Sequence, residues 1–422
     1  MIPITDYSPF VKGKGPYLAS AFEYRSQADN CMRYLTGLMT ITERKNVSSI
    51  NRPFLDYRNQ ASLNNFVTDS TWNDDALHQS AIRMVKDEVD RRNIKGGTLV
   101  IDDTLIEKSG KHMWGVGNFW DHGQKKYMLA QNLVSTNYFT GKFHLPLDFD
   151  VYRKEDDCKE GEFRTKVEIA KDLVSRAAGY GLPISCVAFD SWYNSRELIE
   201  HMRKLGIRAY VTEEENARLV ISDDSRTKMM LAEFEKGVPR DKFMPVKIYT
   251  SMKGEERIYY AYCTSVRMVH LNGTKVRLVI SYDNRELAGK PSFYVSNMRI
   301  WEAKKVLQTY ALRWSIEGFH RDAKESLGLD DCQMRKMSGV KRHIAMVFLA
   351  DTIMQISSGF SNIVKGLKVN LRTIGSKCRL ANTEALRSLV LHVAEMAKEG
   401  LNADTIFQTI IEPLVRSKSW LG

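Results

Sequence analysis

At Gly97 the chain changes its hydrophobic period, and that change restricts the possible folds more than any other feature. Before it, apolar residues recur at helical spacing: one helical piece covers 60–66, the N-cap-like Asp69-Ser70-Thr71 follows, and an amphipathic run covers 75–92. After it come short apolar runs at period two, which predict strands of a meander over 98–101, 127–134 and 143–151. A helix is predicted over 162–178, stopped by Gly179 and Gly181-Leu182-Pro183, then a buried strand over 184–189. Ser195 caps a helix over 196–205, and 207–211 is a further strand. The order βββαβαβ predicts an α/β fold, a mixed sheet with helices packed on it.

Residues 213–300 return to strand character over 246–250, 256–265, 276–282 and 292–295, with the Asn272-Gly273 hairpin signal between. From Trp301 onward the pattern is helical. The expected organisation is a helical N-terminal domain over 1–95, a core over 96–212 and a β-rich insertion over 213–300. A helix over 301–337 completes the core, and a helical C-terminal region occupies 338–422.

Composition narrows the class. With 43% hydrophobic and 27% charged residues, a disordered or fibrous chain is excluded. Lys and Arg number 62 against 51 acids, a formal +11, as expected of a protein that meets a polyanion. The excess is uneven: 1–95 holds 13 bases and 11 acids, whereas Arg335, Lys336, Lys341, Arg342, Lys365, Lys368, Arg372, Lys377 and Arg379 face the single acid Asp351. That segment is expected to form a DNA backbone track. No two of the six cysteines are closer than 28 positions, which excludes a CxxC site and predicts a reducing, cytoplasmic setting. MIPITDYSPFVKGKG lacks the features of an export signal, and the apolar run 344–350 is cut by Asp351, so no membrane span is expected.

The chemistry concentrates in 301–327. Read as one helix, Tyr310, Arg313, Glu317 and Lys324 fall within a stripe of about 60°, with Arg321 beside them, opposite the apolar Leu312, Ile316, Phe319 and Ala323. Asp102 and Asp103 end the first strand and Asp190 ends the strand 184–189. Two strand aspartates with a helix glutamate make a hard-oxygen set suited to Mg²⁺ or Mn²⁺.

Tyr310-Ala-Leu-Arg313-Trp-Ser-Ile-Glu317-Gly-Phe-His-Arg-Asp-Ala-Lys324 matches Y-x2-R-x3-E-x6-K, and in this the chain resembles the bacterial insertion-sequence DDE transposases that carry that signature. Leu99-Val-Ile-Asp102-Asp103-Thr104 and Cys186-Val-Ala-Phe-Asp190-Ser191 stand where that family has its first two acids, and Asn65-Phe-Val-Thr-Asp-Ser-Thr-Trp72 is similar to its N-terminal region. The resemblance covers about residues 60 to 340 and implies a ribonuclease H-like core interrupted by a β-rich insertion. It implies a catalytic and metal-binding triad of Asp102, Asp190 and Glu317 holding two Mg²⁺ ions, with Mn²⁺ substituting. An apolar-Ile-Asp-x-Thr reading favours Asp102 and an Asp-Thr reading favours Asp103; strand alternation sends the two to opposite faces. DNA contacts are implied for Tyr310, Arg313 and Lys324, and expected from Arg321, Arg335, Lys336, Lys341 and Arg342. The implied partners are double-stranded DNA, as terminal inverted repeats and as target, and a second copy of the chain, with no membrane. The reaction implied is hydrolysis that frees a 3′-hydroxyl, followed by its attack on target DNA.

Other features weigh less. His112, His122, His144 and His320 lack zinc-ligand spacing. Gly110, Gly115, Gly117 and Gly123 match neither phosphate-loop pattern and are expected in turns. Trp192-Tyr193, directly after Asp190, suits either base stacking or loop packing.

Overall fold

A computed structural model describes residues 2–56, 58–141, 143–222, 227–249, 256–357, 371 and 373–416. The chain forms two compact units: residues 1–88, 106–130 and 320–422 make one, and 89–105 and 131–319 the other.

The strands are β1 (Gly97–Glu107), β2 (Val116–Asp121), β3 (Lys126–Phe139), β4 (His144–Tyr152), β5 (Ile184–Phe189), β6 (Tyr210–Glu214), β7 (Leu219–Ser222), β8 (Lys228–Met230), β9 (Met244–Tyr249), β10 (Glu256–Met268), β11 (Thr274–Tyr282) and β12 (Ser292–Ser296). In the second unit the sheet runs β3-β1-β5-β6-β12-β11-β10-β7-β8, with β4 on β3 and β9 on β10. β1, β5 and β6 are mutually parallel, whereas β4 on β3, β12 on β6, and the pairs β11–β12, β10–β11, β7–β10 and β7–β8 are antiparallel. Thr98 to Ile101 and Cys186 to Phe189 are buried throughout, as central parallel strands covered on both faces must be. Ile101 pairs with Phe189 and Phe189 with Thr212, so Asp102, Asp190 and Glu213, the residues that follow, stand side by side at the level where β5 ends.

Helices Lys166–Gly179 and Arg196–Lys204 make the crossovers between β4, β5 and β6. The first starts at a capping box: the Glu168 amide donates to Thr165 Oγ1 at 3.2 Å and the Thr165 amide to Glu168 Oε2 at 2.7 Å. The second starts at Ser195, whose hydroxyl oxygen accepts from the Leu198 amide. Beyond β6 the strands extend the same sheet. Their alternation separates two cores: Val211, Val279 and Tyr294 pack under Val306 and Leu307 of helix Ala303–Tyr310, while Leu278, Ile280, Phe293 and Val295 face the side that holds Leu231 and Phe243. Asn272 and Gly273 turn β10 into β11 at φ +52° and +69°, the left-handed geometry this dipeptide favours.

Four details differ from expectation. Asp102 and Asp103 do not end the first strand: β1 runs on to Glu107, beyond the point where its parallel neighbour β5 stops at Phe189. β2 passes through Gly117 where only turns were expected. β6 starts at Tyr210, because Gly206 at φ +79° ends the preceding helix and 207–209 are spent reaching the sheet. The helix expected over 301–327 is two, Ala303–Tyr310 and Trp314–Leu327, joined by a 3₁₀ turn over Ala311–Arg313.

The other unit is helical apart from β2 and its pairing with β3. Helix Met337–Ile356 is buried along most of its length, which explains its nearly continuous apolar run. His343 on it holds Tyr34 Oη through Nδ1 (2.8 Å) and the Gly328 carbonyl through Nε2 (2.9 Å). Lys45 donates to the carbonyls of Leu38 (2.8 Å) and Ser326 (2.6 Å). No helix among the described residues is long and apolar enough to cross a membrane.

Candidate active site

The carboxyl ends of parallel strands are where open α/β sheets place their sites, because the chain leaves the sheet there and side chains are no longer consumed by packing. Asp102 follows Ile101 in β1 and Asp190 follows Phe189 at the end of β5, so two carboxylates stand on neighbouring strands. The Asp102 side chain is 13% exposed and pairs with Arg313 Nη1 at 2.6 Å. Its carboxyl is pushed up to about 7: burial is the main cause, Asp103 and Asp190 add to it, and Arg313 opposes it. Asp103 is held instead by Lys166 Nζ at 2.7 Å and by the Tyr193 hydroxyl at 2.9 Å. The Ser191 hydroxyl donates to Asp190 at 3.0 Å.

Arg313 joins this strand edge to the helix that carries Glu317. Nη2 meets Glu317 Oε1 at 2.6 Å, one helical turn away, while Nε donates to the Tyr310 hydroxyl at 3.0 Å. That hydroxyl donates in turn to Glu213 Oε2 at 2.9 Å. Burial works against the guanidinium's charge, but Tyr310, Asp102 and Glu317 outweigh it and raise the Arg313 pKa. Burial pushes the Tyr310 phenol and the Glu213 carboxyl up as well. The Glu317 side chain remains 51% exposed. The fork therefore presents one solvent-facing and one buried carboxylate to a single cation, the planar geometry at which arginine surpasses lysine.

The remaining candidates are dispersed. Tyr310 and Arg313, expected against phosphates, are turned inward to Glu213, Asp102 and Glu317. Lys324 and Arg321 fall in the helical unit, Lys324 beside Asp330, and Arg321 with Nε 3.8 Å from Asp322 and a side chain 66% exposed. Arg335 is exposed, Lys336 pairs with Asp69, and the Lys341 ammonium lies 5.3 Å from the Trp114 ring centroid. Arg342, expected on the DNA track, is buried: it forks onto Asp74 at 2.7 and 3.1 Å, donates to the Ser70 carbonyl at 2.9 Å and stacks on Trp72. Lys377 is buried too and donates to the Met354 carbonyl. Arg342 can leave the surface because its guanidinium satisfies several backbone carbonyls from inside the helical core, and the Lys377 ammonium is likewise spent on a backbone carbonyl. Lys365, Lys368 and Arg372 lie outside the described residues.

Glu213 is the residue that sequence reasoning missed. The available signal was its place: it follows a parallel strand's buried run just as Asp190 does. Among the described residues, no three of the His, Cys, Asp and Glu side chains are grouped closely enough to hold a metal ion as placed. The donor chemistry of Asp102, Asp190 and Glu317 nevertheless fits a hard divalent cation. All three offer carboxylate oxygen, and the carboxyl of Asp102 is driven up by burial and by neighbouring acids, a cost that a bound cation relieves.

Comparison with known proteins places the chain in a family. Residues 17–255 match the DDE superfamily endonuclease family, and residues 150–363 match the family of the archaeal transposase ISC1217. A probable transposase for insertion sequence element IS701 from Microchaete diplosiphon is 26% identical over 171 residues, which is 38% of this chain and 42% of that relative. The chain belongs to the DDE superfamily of endonucleases, among its insertion-sequence transposases.

Proposed function

We propose that this protein is a cut-and-paste DNA transposase, which cleaves transposon ends and joins the freed 3′-hydroxyls to target DNA. The observation that carries the reading is the meeting of Asp102 and Glu317 on one guanidinium, with Asp190 on the strand next to Asp102. A ribonuclease H-like core is supported by the strand order β4-β3-β1-β5-β6, parallel over its last three strands and with helical crossovers on both sides of β5. On this reading β7 to β12 are the insertion between the second and third acids.

Asp102, Asp190 and Glu317 would hold Mg²⁺, or Mn²⁺ in its place. Such ions lower the pKa of an attacking water and stabilise the departing oxygen in an in-line phosphoryl displacement. The chain's own residues do the rest. Burial of Asp102 keeps that carboxylate poorly hydrated, and the half-exposed Glu317 approaches it from the DNA side. The guanidinium of Arg313 balances their charge and orients both. Backbone phosphates are met by Lys324, Arg321, Arg335, Lys336 and Lys341, and the helical N-terminal region recognises the terminal repeats. Two copies act together on a pair of ends, in the cytoplasm where the DNA lies.

Incubation with a labelled transposon end and Mg²⁺ tests this. Wild-type protein should nick at the end and join a pre-cut end to plasmid DNA, and Glu317→Ala should do neither. Wild-type protein as inactive as Glu317→Ala would leave a silent DNA-binding relative, and cleavage without joining would leave a nuclease.

A further inference from the structure

The Glu213–Tyr310–Arg313 chain has a direction and an end point. Glu213 stands one position beyond Thr212, which pairs with Phe189, so it occupies at the end of β6 the place that Asp190 occupies at the end of β5. It is a largely buried acid whose hydrogen bonds, among the described residues, come from the hydroxyls of Tyr310 and Ser292 rather than from a guanidinium or ammonium. The Tyr310 ring is itself fixed, 4.7 Å from the Tyr294 ring centroid at 49° and with 3% of the residue exposed. A tyrosine has two side-chain torsions and an arginine twice as many, so the stiff side chain here aims the flexible one.

We propose that Glu213 is a positioning residue of the catalytic site: it holds the Tyr310 hydroxyl, which holds Nε of Arg313 and leaves both terminal nitrogens aimed at Asp102 and Glu317. This rests on the cleavage chemistry proposed above. The carboxylate polarises the phenol, which makes its oxygen a better acceptor for the Arg313 Nε–H. With that anchor gone, the guanidinium keeps its charge but not its plane, and the two carboxylates lose the fork that sets their orientation. Glu213 touches neither DNA nor the reacting atoms in this scheme.

Two arms test it. Full-length protein labelled with ¹⁵N in arginine side chains gives an Nε–H signal for Arg313, assigned by its loss in Arg313→Lys. That signal should be protected from solvent exchange in wild type, exposed in Glu213→Ala and in Tyr310→Phe, and protected again in Glu213→Gln, whose amide oxygen still accepts the phenol proton. In end cleavage, Glu213→Ala and Tyr310→Phe should each lower kcat about tenfold to a hundredfold, with KM for DNA unchanged. Glu213→Gln should recover most of that loss, and the Glu213→Ala/Tyr310→Phe double variant should be no worse than the poorer single. Tyr310→Phe keeps the ring in place, so it stays informative if Glu213→Ala fails to fold. An Nε–H signal that is equally protected in Tyr310→Phe, or losses that simply add, would overturn the proposal. Because the spectroscopic arm needs no cleavage, a wild-type protein that cuts nothing would sink the transposase reading and leave the positioning role to be decided by the signal.

Discussion

Arg313 reaches Asp102 at 2.6 Å, while the adjacent Asp103 is turned to Lys166 and Tyr193. Two neighbouring aspartates that are equivalent in composition are thus committed to opposite faces of the sheet and to different partners. Asp102→Asn should lower end cleavage about a thousandfold or more. Asp103→Asn should keep cleavage within about tenfold and lower the melting temperature, since it weakens a partly buried pair with Lys166. A reversed ranking in a side-by-side cleavage assay would make Asp103 the first acid.

Arg313→Lys should be far from conservative. An ammonium can meet Asp102 or Glu317 but cannot fork onto both while also donating to Tyr310. The expected outcome is a loss of about tenfold to a hundredfold in kcat, with the protein still folded by circular dichroism. Activity equal to wild type would mean that the fork contributes charge alone.

Arg342 and its neighbours in sequence should separate cleanly. Arg342→Ala should cost about 2 to 3 kcal/mol of stability, because carbonyls now satisfied by a buried guanidinium lose their donor. It should leave the salt dependence of DNA binding unchanged. Arg335→Gln or Lys336→Gln should flatten the plot of log affinity against log salt by about one unit each. Titrations at several salt concentrations decide between the two behaviours, and a changed slope in Arg342→Ala would put its guanidinium on DNA.

His343 makes folding stability depend on pH. Burial, reinforced by repulsion from Lys108, lowers its pKa from 6.5 to about 4. Above 6.5 the imidazole is neutral folded or unfolded; as pH falls, the unfolded chain takes up the proton first. The stabilisation is therefore complete above 6.5 and is lost as pH falls toward 4, with a slope approaching about 1.4 kcal/mol per pH unit. Denaturant midpoints at pH 7 and pH 5 should differ more for wild type than for His343→Gln. Equal differences would show that His343 titrates normally.

Local signals in the sequence determined most of the core's element order, β2 excepted, and the Y-x2-R-x3-E-x6-K spacing, and they supplied the three acids proposed as the triad. Each depends on residues close along the chain: the period-two runs of β1, β3 and β4, the Thr165 and Ser195 caps, and the Asn272-Gly273 turn. Tertiary structure alone decided what spacing along one idealised helix could not express. The 3₁₀ turn at Ala311–Arg313 splits the expected stripe, and Arg313 reaches Asp102, 211 positions away, while Asp103 is held by Lys166 and Tyr193. Glu213 enters the site only because parallel register sets β6 beside β5. Arg342 and Lys377 read as surface charge until packing shows which carbonyls they satisfy. Propensity and spacing act over a few residues and survive in a string of letters. Which face a side chain meets, and whether a charge is solvated or enclosed, depends on contacts between distant segments and exists only once the sheet and helices are assembled.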